Sequence, residues 1–244
     1  MDTLGEDLVL LSLGPDSGRV RTAQKIGYGL MGSELVRLAA SGRVDVQAGR
    51  IIVLGGAPTG HAELDVALAS IAASRRPPRV ERWVGHPRRD ISAAYLERLA
   101  AAGRVRREGR LLTRWRIVDV QRVTEARARL EAIAVPGAEL DQAEAALGGL
   151  AHAIGLDAVL YPGWANRHVR KRFQQIARGQ WVATAVSRSA AAGATQAAMA
   201  AATQAAMNAA TQAAVQAATQ AAVDASVAAA HSAGAGAHGA HGGH

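Results

Sequence analysis

Cysteine is absent from this chain of 244 residues, so disulfide bonds and thiolate chemistry are excluded. Long apolar stretches are also absent: outside the alanine-rich C-terminal region, nothing approaches the roughly 18 uncharged residues of a membrane-spanning helix. That C-terminal region is itself too polar, because Thr, Gln and Asn recur through it. The N-terminal residues 1–7 are acidic and lack the basic segment of a signal peptide. Together these absences predict a cytoplasmic protein that is either soluble or peripheral to a membrane.

The sequence also lacks the motifs of common enzyme and metal sites. No Ser is flanked as in a nucleophile elbow, and no glycine-rich loop is suited to holding a phosphate. His61 and Asp65 would share one helical face, but two ligands alone make a poor metal site. His152 falls on an apolar helix, where a structural histidine is the expected role. We therefore predict a non-catalytic protein without cofactor or metal, in which metal binding would be adventitious at His238, His241 and His244.

Positive charge is what the chain has in excess. It contains 28 Lys and Arg residues against 20 Asp and Glu residues, a net charge of +8. Most of the basic residues are Arg, which can form two parallel hydrogen bonds with a phosphate or a carboxylate. The candidate partners are therefore nucleic acid, an anionic membrane surface or an acidic protein. A composition set by GC-rich coding would give the same excess without any partner, and that alternative stays open.

The charge is concentrated in residues 164–181, which contain five Lys or Arg residues and no acidic residue. At about 100° per residue, a helix here places Val169, Phe173 and Ile176 on one side. The opposite side is a basic face that consists of Arg167, Arg170, Lys171 and Arg178. A packed helix with only positive charge towards solvent predicts an acidic partner. A solvated face without function would show the same pattern.

The composition changes near residue 190, which divides the chain into three parts. Residues 1–190 have the composition of a globular domain large enough for one core. Residues 191–230 repeat Thr-Gln-Ala-Ala every eight residues and predict an alanine-rich helix whose apolar stripe drifts around its axis. Residues 231–244 are rich in Gly and His and predict a disordered tail.

The first part is predicted to be mostly helical. Its apolar periodicity and its capping residues predict helices over 4–13, 26–40, 61–74, 91–102, 123–133 and 140–154, before the basic helix. Short hairpins are predicted at 43–54, around Ala48-Gly49, and at 104–112, with the turn at Glu108-Gly109.

An ordered set of motifs resembles the Golgi phosphoprotein 3 family over residues 3–190. The most specific is Ala57-Pro58-Thr59-Gly60, followed by Leu64-Asp65 and Ala67-Leu68. The other matching blocks are the Leu-rich segment 3–11, the helix 29–35 (Gly-Leu-Met-Gly-Ser-Glu-Leu), the turn 41–44, the helix and hairpin 96–112, and the basic segment 166–181, which is similar to bacterial members. The membership of Asp65 in the signature suggests a structural hydrogen bond for this side chain.

The resemblance implies a mainly α fold, with a central helical bundle, peripheral helices and one or two short β-hairpins. Eukaryotic members bind phosphatidylinositol 4-phosphate at Golgi membranes, and a β-hairpin beside the pocket supports membrane contact and oligomerisation. The resemblance therefore implies an anionic phospholipid or phosphoinositide as the partner, with a homo-oligomer as a further possibility.

The family's headgroup pocket uses a Trp, an Arg in the following helix and two Arg before the second hairpin. In this chain those positions fall near Thr22 or Ala23, at Met31, and near Arg89 and Ser92, so only Arg89 keeps the residue type. With the adjacent Arg88, these are the lipid-headgroup residues that the resemblance implies. Another acidic lipid fits this departure from the family pattern as well as phosphatidylinositol 4-phosphate does.

The second hairpin is the candidate for membrane contact or oligomerisation. Basic residues near an anionic bilayer gain roughly 1 kcal/mol each, and apolar residues beside them could enter its interface. Inward packing of Trp115 is the alternative. The residues concerned are Arg106, Arg107, Arg110, Leu111, Leu112 and Trp115.

Two rival functions remain open at this stage. Residues 92–117 also have the order of a winged-helix module that contacts nucleic-acid phosphates, but residues 95–98 offer little for reading bases. Alternatively, the hairpin and the alanine-rich repeat would mediate self-association of a soluble interaction module.

Overall fold

A computed structural model describes residues 3–109, 113–179, 182, 185 and 186, all within the unit Met1–Gly193. These residues form a mainly α fold with two antiparallel hairpins, as predicted. The predicted segments 191–230 and 231–244 lie outside them. The elements are α1 Leu4–Ser12, α2 Ile26–Ala40, β1 Val44–Gln47, β2 Arg50–Val53, α3 Ala62–Ala72, α4 Val80–Val84, α5 Ile91–Ala101, β3 Val105–Glu108, β4 Arg114–Ile117, α6 Val120–Ala134, α7 Gln142–Ala153, α8 Leu156–Leu160 and α9 Arg167–Gly179.

Helix α2 is the centre of the domain. All of its residues from Gly29 to Leu38 are buried, as expected of a helix that is packed on every side. It contacts α1, α3, α4, α5 and α7, and α7 in turn contacts α9. None of the helices in the described ranges is both long and apolar enough to cross a bilayer.

Two glycines allow close contacts in this core. A Cβ built at Gly32 of α2 would lie 2.8 Å from Leu150 Cδ2 and 2.8 Å from Val186 Cγ2. A Cβ at Gly5 of α1 would overlap the ring of Tyr95, which is buried in α5. Because Gly5 and Gly32 have no side chain, the neighbouring side chains can pack directly against the backbones of α1 and α2.

We expect Gly5→Ala to lower the free energy of unfolding by about 1–3 kcal/mol, because the new Cβ would overlap the buried ring of Tyr95 and force it to shift. The loss occurs although Ala favours a helix over Gly by about 1 kcal/mol. Urea unfolding measures it. The matched control is Gly179→Ala in α9, where nothing lies within 4 Å of the new Cβ, and stability should stay equal or rise. Equal unfolding midpoints for the two variants would contradict the close contact at Gly5.

The first hairpin forms as predicted. Val46 pairs with Ile51 and Gln47 with Arg50, which leaves Ala48 and Gly49 as a two-residue turn. Both turn residues have positive φ, 48° and 73°, as in the turns that match the twist of a hairpin.

The second hairpin forms, but its predicted turn and second strand are wrong. β3 pairs with Arg114–Ile117, so that Arg107 lies opposite Trp115, and the connection is longer than Glu108-Gly109. This register turns Val105 and Trp115 into the core, where their side chains are only 2% and 7% exposed. Arg110, Leu111 and Leu112 lie outside the described residues.

Candidate functional site

Helix α9 has the two faces that its periodicity predicts. Phe173 and Ala177 are buried, whereas Arg167, Lys171 and Arg178 are exposed. These three side chains form no ion pair within the described residues. We call Arg167, Arg170, Lys171 and Arg178 the α9 basic surface.

The fourth member of this surface, Arg170, is partly buried and has a structural function. Its Nη1 donates hydrogen bonds to the carbonyl oxygens of Tyr161, at 2.6 Å, and Gly163, at 2.8 Å. The ring of Tyr161 stacks on Phe173 with 6.0 Å between centroids. These contacts fix residues 161–166, which we call the Trp164 loop, against the start of α9.

The Trp164 loop presents its indole to solvent. Trp164 is 75% exposed, and the guanidinium carbon of Arg167 lies 4.2 Å from the centroid of its ring. Asn166 donates a hydrogen bond to the carbonyl oxygen of Pro162 at 2.9 Å. An exposed aromatic ring thus lies directly beside the α9 basic surface, a juxtaposition that the helical periodicity of residues 164–181 did not predict.

Two of the implied headgroup residues lie in the core and not on the surface. Thr22 is 9% exposed, and its hydroxyl oxygen lies 3.2 Å from that of Ser12. Met31 is 2% exposed, and its Sδ lies 3.7 Å from Nη1 of Arg88. Because these side chains are enclosed, the expectation that they contact a headgroup requires correction: in this conformation neither can reach one.

Arg88 is bound by a buried carboxylate. Its two terminal nitrogens donate to the two oxygens of Glu34 at 2.6 and 2.9 Å, and Glu34 is fully buried. Burial raises the pKa of Glu34, and the hydrogen bonds and charge of Arg88 offset only part of that shift. Arg88 therefore neutralises a core charge, whereas Arg89 is exposed and Ser92 is half-buried, and their binding roles stay predictions.

A cleft of about 320 Å³ lies beside this ion pair, between α3 and α5. Its charged lining is largely paired, since Glu63 accepts a hydrogen bond from Arg37 at 2.8 Å and forms an ion pair with Arg98 at 2.7 Å. Burial acts to raise the pKa of Glu63, but its hydrogen bonds and the two arginine charges lower it overall. The cleft thus offers an anionic ligand fewer free cations than the α9 basic surface does.

Three arginines of the second hairpin lie close to acidic side chains. Arg106 and Arg116 approach Glu108 at 3.1 and 3.6 Å, and Arg107 approaches Glu97 at 3.8 Å. Trp115 packs inward, so the expectation that it enters a membrane interface is corrected by its burial. The described part of this hairpin is therefore weaker as a membrane-binding surface than the sequence indicates.

A second group of exposed arginines was not singled out from the sequence. A β-bridge places Arg50 directly opposite Arg79, and Nη1 of Arg50 donates to the carbonyl oxygen of Pro77 at 2.8 Å. Arg75, Arg76 and Arg82 are also exposed. The run of arginines around Pro77-Pro78 was the available signal, but the β-bridge that joins it to the first hairpin is a long-range contact.

Asp65, which was weighed as a metal ligand, and His152, for which a structural role was expected, both have hydrogen-bonding or ionic partners within the domain. Asp65 accepts hydrogen bonds from the backbone and the hydroxyl of Thr59 at 2.7 and 2.8 Å, which lower the pKa of its carboxyl group. This contact confirms the predicted structural bond within the Pro58-Thr59-Gly60 signature. His152 is half-buried, and its Nδ1 lies 2.8 Å from a carboxylate oxygen of Asp157.

Comparison with known families agrees with this arrangement. The family model described as Golgi phosphoprotein 3 (GPP34) matches residues 4–193 of the chain. No curated protein matches the sequence. The matched range contains α9 and the hydrogen-bonded Thr59–Asp65 signature.

Proposed function

We propose that this chain, which belongs to the Golgi phosphoprotein 3 family, is a non-catalytic peripheral membrane protein that binds anionic phospholipid headgroups. The family resemblance implies phosphatidylinositol 4-phosphate as one such headgroup. The burial of Thr22 and Met31 favours recognition of surface charge over insertion of a headgroup between those two residues.

The observation that carries this proposal is the α9 basic surface. Its three exposed cations, Arg167, Lys171 and Arg178, form no ion pair within the described residues. The second hairpin differs, because its Arg106, Arg107 and Arg116 each lie within 4 Å of a carboxylate. Each basic residue near an anionic bilayer contributes about 1 kcal/mol, so three contribute about 3 kcal/mol at low salt. The attraction falls with ionic strength because it is screened within a Debye length.

Liposome flotation at low salt tests the proposal. The full chain should float with phosphatidylcholine vesicles that contain phosphatidylserine or phosphatidylinositol 4-phosphate, but not with pure phosphatidylcholine. A preference for phosphatidylinositol 4-phosphate at equal vesicle charge would indicate a specific lipid, and equal recovery in both anionic mixtures would indicate charge recognition. Equal recovery with neutral and anionic vesicles would contradict the proposal.

The triple variant Arg167→Ala/Lys171→Ala/Arg178→Ala should reduce partition into anionic vesicles about 100-fold, since about 3 kcal/mol of attraction is lost. The control variant Arg19→Ala/Arg21→Ala/Arg127→Ala removes the same charge from exposed positions elsewhere and should bind nearly as well as wild type. An equal reduction in the two variants would show that net charge alone drives binding, without a dedicated surface.

Nucleic-acid binding by a winged-helix module is less well supported. The hairpin of that module carries Glu108 beside its arginines, and Glu97 lies on the preceding helix within reach of Arg107. These carboxylates would repel a phosphate backbone. A mobility shift with duplex DNA at physiological salt tests the rival directly, and none is expected, because the attraction of exposed cations alone for DNA phosphates is weakened there.

A further inference from the structure

Trp164 is the most exposed large apolar side chain in the described residues, at 75%. Burying the apolar surface of an indole ring is energetically favourable, and an exposed ring loses that stabilisation. The exposure of Trp164 beside the α9 basic surface therefore requires an explanation. The guanidinium of Arg167 covers one face of the ring, with its central carbon 4.2 Å from the ring centroid. The other ring face and the ring edge remain available to a partner.

The exposure is built into the loop. Arg170 holds the carbonyl oxygens of Tyr161 and Gly163, and Asn166 holds that of Pro162. Tyr161 is stacked on the buried Phe173. These contacts hold the backbone of the loop on both sides of Trp164, and the guanidinium of Arg167 lies against the ring itself. The ring is thus pre-organised for contact outside the domain, which lowers the entropic cost of binding.

The chemistry beside Trp164 selects the partner. Tryptophan prefers the bilayer interface, where its apolar ring and its N–H group both find suitable surroundings. The cations next to it, Arg167 and Lys171, suit the phosphate layer of that interface. A bilayer satisfies both requirements over a broad surface, whereas a protein partner would need a pocket for the ring and carboxylates placed around it.

We infer that Trp164 inserts into the headgroup region of an anionic bilayer while Arg167, Lys171 and Arg178 contact lipid phosphates. The inference rests on the proposed function and goes further, because it fixes which loop enters the membrane and how the domain faces it. It also gives the Trp164 loop a function that charge alone does not require.

The absence of cysteine permits a direct test. Ala165→Cys, at an exposed position beside Trp164, is labelled with an environment-sensitive fluorophore in the full chain. The control is Thr124→Cys on α6, an exposed position with charges of both signs nearby, Glu125 and Arg127. With phosphatidylcholine–phosphatidylserine vesicles, the label at 165 should shift to the blue and be quenched by brominated acyl chains. The label at 124 should not respond.

The outcomes separate the inference from the proposed function. If the labelled protein floats with anionic vesicles while the label at 165 stays silent, the inference is wrong and the proposed function stands. If the protein does not float, the proposed function itself fails. Equal quenching at 165 and 124 would also overturn the inference, since it would show no preferred orientation.

An unlabelled variant gives an independent readout. Trp164→Ala should lower partition into anionic vesicles about tenfold through loss of apolar burial, without changing the urea unfolding midpoint, because the ring is exposed. Trp164→Phe should recover part of the binding. Partition that is unaffected by Trp164→Ala would overturn the inference.

Discussion

Arg88→Met is expected to lower the free energy of unfolding by about 3–5 kcal/mol at neutral pH. The reason is the fully buried carboxylate of Glu34, which accepts two hydrogen bonds from Arg88, at 2.6 and 2.9 Å. Methionine fills much of the same volume but provides no charge. Leaving a buried carboxylate without its partner destabilises the folded state by more than the intact pair stabilises it. The expected loss is therefore larger than the loss caused by breaking an exposed ion pair.

The same variant should show a characteristic pH dependence. Burial raises the pKa of Glu34 in the folded state. Protonated Glu34 therefore favours the folded state below the ordinary glutamate pKa, and this contribution to stability is lost as pH rises through the raised pKa. Removal of Arg88 raises that folded pKa further, because the hydrogen bonds and the positive charge that lowered it are gone. The deficit of Arg88→Met relative to wild type should therefore be large at pH 7 and small near pH 4. Urea unfolding at both pH values measures it.

The double variant Glu34→Met/Arg88→Met is the control for this result. Replacing both members of a buried ion pair by apolar groups of similar size is often neutral or stabilising. The double variant should recover most of the stability at pH 7 and lose the pH dependence. If it is no more stable than Arg88→Met alone, the loss arises from packing around position 88 and not from the unpaired charge.

The second large effect is expected at Asp7, which joins α1 to α6. Its buried carboxylate accepts hydrogen bonds from Arg122, which is also buried, and from the partly exposed Arg129. Asp7→Ala leaves the guanidinium of Arg122 in the core without a counter-charge, and we expect a loss of about 3–5 kcal/mol in the free energy of unfolding.

A matched comparison is available on α6 itself. Arg127 and Glu131 form an ion pair at 3.1 Å, with both side chains about half exposed. Glu131→Ala removes a carboxylate from an arginine just as Asp7→Ala does, but in solvent, and should cost only about 0.3–0.5 kcal/mol. Urea unfolding measures both losses of stability. Similar losses in the two variants would show that burial does not increase the contribution of Asp7 to stability.

The elements that could be predicted are those whose signal is local. The bounds of α2 coincide with the predicted 26–40, and the first hairpin turns at Ala48-Gly49 as predicted. The five-residue helices α4 and α8 were not predicted, since each is too short to show a helical period. In the second hairpin, the local Glu-Gly turn signal gave the wrong register, because inward packing of Trp115 determines the pairing.

The same distinction applies to the candidate site. The α9 basic surface could be predicted because the faces of one helix depend only on spacing along the sequence. The pairs Glu34–Arg88 and Asp7–Arg122 join residues 54 and 115 positions apart, so nothing local indicates them. The exposure of Trp164 depends on how Arg170 holds the preceding loop, which a periodic pattern does not encode.

The close contact at Gly32 has a consequence for how far this domain can be shortened. Val186 reaches back to the central helix at that glycine, and Val182 and Ala185 are buried with it. A truncation before residue 186 would remove side chains that fill the space left by the missing Cβ and would open a void against α2. The minimal folding unit must therefore extend past α9. Deletion variants made to test the proposed lipid binding need to keep residue 186, because shorter ones would report on unfolding and not on binding.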